Sequence, residues 1–141
     1  MKRILGVDYG LAYIGLALSD PTNTISSPIG TLSNKGYRRN VAAFSDLVKQ
    51  HDVGSIVIGL PVNADGSESQ MSREVRQFVS LLHEAIGIEI FFVDERYSTL
   101  LAKEEIVNKM GIRDSKKISE TVDTIAASMI LREYLENKDK T

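Results

Sequence analysis

Three carboxylates stand out by where they fall in the sequence. Asp8 follows the apolar run Ile4-Leu5-Gly6-Val7. Glu95 closes a second apolar run, after Glu89 to Val93 and Asp94. Asp123 sits beside Val122, with the small Ala126 and Ala127 three and four residues on. An apolar strand does not otherwise need an acid at its end. Were the three to face one point, their charges would repel. A hard divalent cation relieves that repulsion, and oxygen ligands suit Mg²⁺ or Mn²⁺. Two such ions can activate a water and stabilise a leaving oxygen in an in-line phosphoryl displacement. No histidine is needed for this, in keeping with a chain that has only 2 His. Each acid also has an ordinary reading. Asp8 can cap turn amides, Glu95 can pair with the adjacent Arg96, and Asp123 can favour a helix start through the macrodipole.

Hydrophobic periodicity supplies the elements that must position these residues. Arg3 to Tyr9 and Ile14 to Ser19 read as strands, separated from a third at Ile25 to Leu32 by the turn Asp20-Pro21-Thr22-Asn23. Pro28 weakens that third strand. Three strands so closely joined predict an antiparallel meander. Val41, Phe44, Leu47 and Val48 then mark one face of a helix. Ser55 to Leu60 is a β-branched central strand, followed by a polar loop from Pro61 to Ser69. Ser67 and Gln70 have capping-box spacing before a helix with Val75, Phe78, Val79 and Leu82 on one side. Glu89 to Val93 is the last strand. Ser98 or Thr99 caps a helix running to Gly111, Ile112 to Ser119 is a polar loop, and a final helix carries Val122, Ile125, Ala126, Met129 and Ile130. Strand–helix–strand units demand parallel pairing. The expected fold class is α/β, a mixed sheet of about five strands (three antiparallel, then parallel) with helices on both faces. In such sheets function gathers beyond the carboxyl ends of the strands. The small Ala126 and Ala127 would let the last helix lie close to the sheet.

Composition bounds the classes. The 141 residues predict one domain, 1–141, and 43% hydrophobic content is globular rather than disordered. A domain of this size buries roughly two thirds of its unfolded surface. Seventeen Lys and Arg against 19 Asp and Glu, a formal charge of −2, argue against a protein that coats nucleic acid unselectively. There is no cysteine, hence no disulfide, thiolate zinc site or cysteine nucleophile. Four apolar residues followed by Asp8 are too few for a signal peptide, and no run approaches the ~18 of a membrane span. The expectation is a soluble cytoplasmic protein with no membrane partner.

Several further residues could meet phosphate. Asn63, with Asp65 and Gly66, lies in the loop after a central strand, and Asp-Gly also favours turns on its own account. Arg96 offers a bidentate fork, and Ser98 and Thr99 stand at a helix start with free amides. Lys116 and Lys117, with Lys109 and Arg113, make the strongest local positive stretch. Tyr37-Arg38-Arg39 is a second basic site with an aromatic beside it. Charge pairs on loops are also commonly just solvated. His51, after the first helix, and His83, beside Leu82, read as structural.

Gly6-Val7-Asp8-Tyr9-Gly10 with Ile14-Gly15, Gly59-Leu60-Pro61 with Asn63 and Asp65-Gly66, Asp94-Glu95-Arg96 with Ser98-Thr99, and Asp123 with Ala126-Ala127 follow one another in the order and spacing of a known family. Over almost its whole length the chain resembles the YqgF-type family of Holliday junction resolvases and nucleases that mature the pre-16S ribosomal RNA. The resemblance implies a ribonuclease H-like fold, in which the family's three metal-binding acids match Asp8, Glu95 and Asp123. It implies Mg²⁺ or Mn²⁺ as cofactor and cleavage to a 5′-phosphate and a 3′-hydroxyl. One departure is visible. Between Gly10 and Gly15 the family commonly carries a basic pair, where this chain has Leu11-Ala12-Tyr13. A positive charge is missing beside Asp8, and Tyr13 can either stack on a base or pack.

The leading expectation is therefore a metal-dependent endonuclease acting on structured nucleic acid, at the 5′ end of the pre-16S rRNA, with ribosomal particles as possible partners and a monomer or weak dimer as its state. Resolution of branched DNA is the alternative substrate. Two symmetric cuts would need a dimer. A non-catalytic RNA-binding or ribosome-assembly role is the reading from another class, and the missing basic residue is its support. An ATP-binding module of the actin and sugar-kinase type shares the D-x-G turn but needs two such halves.

Overall fold

The computed structural model describes residues 2–63, 65–94 and 115–138, and the backbone alone for 115–123. Its elements are β1 (Arg3–Tyr9), β2 (Tyr13–Ser19), β3 (Ser26–Ser33), α1 (Tyr37–Gln50), β4 (Val53–Leu60), α2 (Gln70–Ile86), β5 (Glu89–Asp94) and α3 (Ser115–Asn137). The sheet order is β3-β2-β1-β4-β5. β1 pairs antiparallel with β2, which pairs antiparallel with β3, while β1, β4 and β5 run parallel. The meander and the change to parallel pairing agree with the hydrophobic pattern.

Alternation along the strands divides the core between two faces. Leu5, Val7 and Tyr9 of β1 join Ile14, Leu16, Leu18, Ile56 and Ile58 beneath Phe44 of α1 and Val75, Phe78 and Leu82 of α2. Phe78 is the hinge of this face, meeting Phe44 edge-on at 5.1 Å and Tyr9 at 4.9 Å. Ile4, Ala17 and Val57 point the other way, against Ala127, Ile130, Leu131 and Leu135 of α3. β1 and β4 are thus covered on both sides, which explains their continuous apolar runs.

Three boundaries depart from expectation, each for a local reason. β3 spans Ser26–Ser33 rather than Ile25 to Leu32, and it tolerates Pro28 because it is an edge strand with a register shift opposite Leu16 and Ala17. The α2 cap is Ser69, not Ser67: the Ser69 hydroxyl accepts from the Ser72 amide at 3.0 Å and the Ser72 hydroxyl from the Ser69 amide at 2.9 Å. Serine replaces the glutamate or glutamine usual in that box. The last helix begins at Ser115, so the polar loop expected over residues 112–119 is helical from 115. Ile118 and Val122 extend the apolar i, i+4 spacing back a turn, and no glycine or proline interrupts it. Among the described residues no helix is long and apolar enough to cross a membrane.

Candidate functional site

Asp8 belongs by alternation to the same side of β1 as Ile4 and Gly6, the side covered by α3. It sits opposite Gly15 of β2. Its relative exposure is 6%, so this is a buried carboxylate at the carboxyl end of the central strand. Burial of a carboxylate is costly unless it is met by hydrogen bonds or a cation. The chain turns directly after it. The Gly10 amide donates to the Tyr13 carbonyl at 3.0 Å, closing the hairpin whose tip, Leu11, is 79% exposed. Tyr13 is half-buried at the start of β2.

Two asparagines that drew no notice in the sequence hold this hairpin. The Asn34 side-chain amide donates to the Gly10 carbonyl at 2.8 Å. Asn40, buried in the first turn of α1, donates to Asn34 Oδ1 at 2.9 Å and to the Tyr9 hydroxyl at 3.4 Å, and accepts from the Lys35 amide at 3.1 Å. A buried asparagine one turn inside an amphipathic helix was the available signal, because such a residue must find partners.

α3 lies close against the sheet at Gly6. A Cβ there would lie 2.6 Å from Leu131 Cβ and 2.9 Å from the Ala127 carbonyl oxygen, so only a glycine fits. Ala126 and Ala127 are fully buried. The expectation that small residues would bring this helix close to the sheet is met. Asp123 stands one turn before Ala127 in α3, while Asp8 stands two residues beyond Gly6 in β1. On β5, Phe91 stacks on Tyr134 of α3 at 5.6 Å and Val93 packs into the α3 cluster. Asp94 alternates to the opposite face with Phe92, over which the Arg76 guanidinium sits at 5.2 Å.

The loop after β4 lies at the same carboxyl edge. Asn63 is exposed, and its side-chain amide donates to Ser67 Oγ at 3.0 Å and to the Glu68 carbonyl at 3.5 Å. Asp65 accepts from the Ser67 amide at 2.9 Å, and Gly66 takes φ +88°. The loop is thus a closed turn anchored on the α2 cap. Glu68 is held below the usual carboxylate range, first by the Ser72 hydroxyl and then by Arg76, which it pairs at 2.7 Å. Asn63 Nδ2 is spent on closing the loop, which leaves Oδ1 as the atom to meet a ligand.

Glu95, Arg96, Ser98 and Thr99 lie outside the described residues, as does the helix expected from Ser98 or Thr99 to Gly111. Lys116 and Lys117 are placed by backbone alone, in the first turn of α3 rather than in a loop. Among the described residues no three metal-ligating side chains converge. The described member of the acid set, Asp8, offers a hard oxygen donor in a buried position, and this chemistry fits Mg²⁺ or Mn²⁺.

Tyr37 is not an aromatic awaiting a base. Its hydroxyl donates to the Glu74 carboxylate at 3.0 Å, tying α1 to α2, and burial followed by Glu74 pushes it up to about 12. Arg38 and Arg39 beside it are exposed. Both histidines are structural: His51 ends α1, and His83 Nδ1 lies 2.9 Å from the Ile88 carbonyl.

Comparison with known proteins sets this geometry in context. A family model described as RuvX, Holliday junction resolvase, matches residues 2–137. A protein of Endomicrobium trichonymphae is 35% identical over 136 residues, 96% of each chain. One of Fusobacterium nucleatum subsp. nucleatum is 36% identical over 141 residues, 98% of this chain and 99% of the relative. Both carry the name "Putative pre-16S rRNA nuclease". Among solved structures, T. thermophilus RuvC in complex with Holliday junction substrate superposes with a TM-score of 0.58 at 11% identity, covering 99% of this chain and 96% of that one. That likeness establishes the fold, a mixed five-stranded sheet of the RuvC-like, ribonuclease H type.

Proposed function

This chain belongs to the RuvX family, and from that membership we propose that it is a metal-dependent endonuclease that cleaves structured nucleic acid, with the pre-16S rRNA as its substrate. The observation that carries the reading is Asp8, a buried carboxylate at the carboxyl end of the central strand, on the face that α3 covers.

In this reading Asp8, Glu95 and Asp123 hold Mg²⁺ or Mn²⁺. Two sequence spacings support the grouping. Glu95 comes two residues after Val93, the period that keeps strand residues on one face. Asp123 comes four before Ala127, the period that keeps helix residues on one face. When bound, the cation would activate a water and offset the charge that develops on the phosphate. The chain's own residues do the rest. The Asn34–Asn40 network fixes the Gly10 turn, and with it the backbone carrying Asp8. Burial beneath α3 keeps bulk water from that carboxylate and strengthens its interactions. Asn63 Oδ1 accepts from a sugar hydroxyl, and Arg96, Ser98, Thr99, Lys116 and Lys117 contact phosphates. Leu11 supplies no charge at the hairpin tip, so substrate grip depends on cations elsewhere along the edge. The protein works in the cytoplasm, on RNA that is free or within ribosomal particles.

The family description favours branched DNA as a second substrate. One experiment tests both: a labelled rRNA precursor fragment and a four-way DNA junction, incubated with Mg²⁺, Mn²⁺ or chelator and with wild type or Asp8→Asn. Metal-dependent cutting of the RNA, lost in the variant, is expected. Full cutting by Asp8→Asn would remove Asp8 from the metal site. Folded protein that cuts neither substrate would favour the non-catalytic assembly role.

A further inference from the structure

We propose that the starts of α1 and α2 form a second phosphate-gripping surface, built by Lys35, Arg38, Arg39 and Arg73, which holds the double-helical stem of the RNA on the face of the sheet opposite the Asp8 side chain. The proposal rests on the nuclease reading above and adds where the substrate extends beyond the scissile phosphate.

Topology brings these residues to the edge where Asp8 lies. β3 ends at Ser33 opposite Tyr13, and Asn34 bonds the Gly10 carbonyl, so α1 starts beside the hairpin that follows Asp8. β4 ends at the same edge, and the loop after it leads into α2. The Tyr37–Glu74 bond then joins the two helix starts. That bond occupies the Glu74 carboxylate, which keeps its charge, and ties together the helix starts that carry Arg38 and Arg73. Glu68 accepts from Ser72 and Arg76, and the nearby Arg73 charge also acts on it.

Lys35, Arg38, Arg39 and Arg73 are all exposed, and among the described residues none of them makes an ion pair within 4.0 Å. Their placement also runs against the helices' own electrostatics. A helix start carries partial positive charge and is favoured by acids. Yet none of the three described helices has an acid in its first turn, and α1 places two arginines there. The four cations share this end of the fold with Asp65, Glu68 and Glu74, whose carboxylates are each hydrogen-bonded within the protein. The folded monomer gains nothing from these cations, whereas a polyanion would. Duplex phosphates suit exposed arginines at two helix starts whose free amides share the same sign. The surface also answers the departure at Leu11-Ala12-Tyr13, by moving positive charge from the hairpin tip to the helix starts behind it.

The test measures binding without cleavage. Fluorescence anisotropy of a labelled RNA stem-loop and of a four-way DNA junction, in chelator and over a range of salt, is compared for wild type and Arg38→Gln/Arg39→Gln. Losing two phosphate contacts should reduce the slope of log affinity against log salt by about two, and weaken binding on the order of 30-fold at 0.15 M salt. The variant's melting temperature should equal or exceed that of wild type, since two charges that oppose the helix dipole are gone. Arg73→Gln alone should reduce the slope by about one. Unchanged slopes in protein that still cleaves with metal would overturn this surface and leave the nuclease reading standing. A change confined to the DNA junction would overturn its assignment to RNA. Wild type that neither binds nor cleaves would remove both.

Discussion

Replacing Gly6 by alanine tests the link between packing and chemistry most directly. The added methyl would lie 2.6 Å from Leu131 Cβ and 2.9 Å from the Ala127 carbonyl oxygen. Carbon contacts relax to about 3.5–4.0 Å, so α3 must withdraw by roughly 1 Å. Neither obstacle is the free end of a flexible side chain, so the helix must move as a body. Overpacking of this kind costs about 1–3 kcal/mol. Reduced freedom of the unfolded chain returns some ~0.4–1 kcal/mol. A net loss of about 1–2 kcal/mol corresponds to a melting temperature lower by about 3–8 °C for a domain of this size. Activity should fall further than stability. In the proposed metal site Asp123 rides on α3 and Asp8 on β1, and a ~1 Å misplacement of such groups costs on the order of 10²-fold in rate. Thermal unfolding by circular dichroism and single-turnover RNA cleavage, both below the new melting temperature, check the two parts. Leu131→Ala should not rescue the variant, because Leu131 Cβ and the Ala127 carbonyl both remain. An unchanged melting temperature with wild-type cleavage would refute the reasoning, and rescue by Leu131→Ala would show that the obstacle was the isobutyl group rather than the helix.

Asn40→Ala removes three hydrogen bonds from a buried site. It should cost about 1–3 kcal/mol in urea unfolding and lower cleavage by loosening the turn after Asp8, with faster exchange of the Lys35 amide as its local signature. Tyr37 provides a pH signature. An unperturbed tyrosine ionises near 10, and this one near 12, so the folded state favours the neutral phenol. The associated stability is fully present below pH ~10 and is lost as pH rises towards 12. Tyrosinate absorbance should show a late-titrating component that Tyr37→Phe removes. A late component unchanged in Tyr37→Phe, or none in wild type, would contradict the Tyr37–Glu74 contact.

Most of the sheet was legible because its signals are local and redundant. The Ile4–Val7 run is apolar at every position, as a strand covered on both faces requires, and the parity of Ile4, Gly6 and Asp8 already placed the acid on one face. Where reading failed, the deciding contact was remote or the chemistry permissive. Pro28 is harmless only because β3 lies at an edge, which no window around Pro28 reveals. Lys116 and Lys117 looked like a loop by composition, although lysine is a good helix former and the apolar spacing continues through Ile118. Ser67 resembled a cap as well as Ser69 did, and the choice fell to the register of the loop closed by Asn63. Asn34 and Asn40 matter because of what they meet across the β1–β2 hairpin, a relation that their neighbours in sequence do not encode. For Asp8, alternation assigned the face that α3 covers and the residue type carries the chemistry, while its grouping with Glu95 and Asp123 belongs to the proposed site.

The close approach at Gly6 joins the sixth residue to the hundred-and-thirty-first, and Ser26 likewise bonds the Ser128 carbonyl at 2.9 Å. Translation therefore separates the two halves of the contact in time. At ~5–20 residues per second, the helix that covers Gly6 is made roughly 6–25 s after the strand. Until then Ile4, Ala17 and Val57 lack the α3 residues that pack on them. A chain made only as far as β5 is therefore one whose Asp8 lacks the cover of α3.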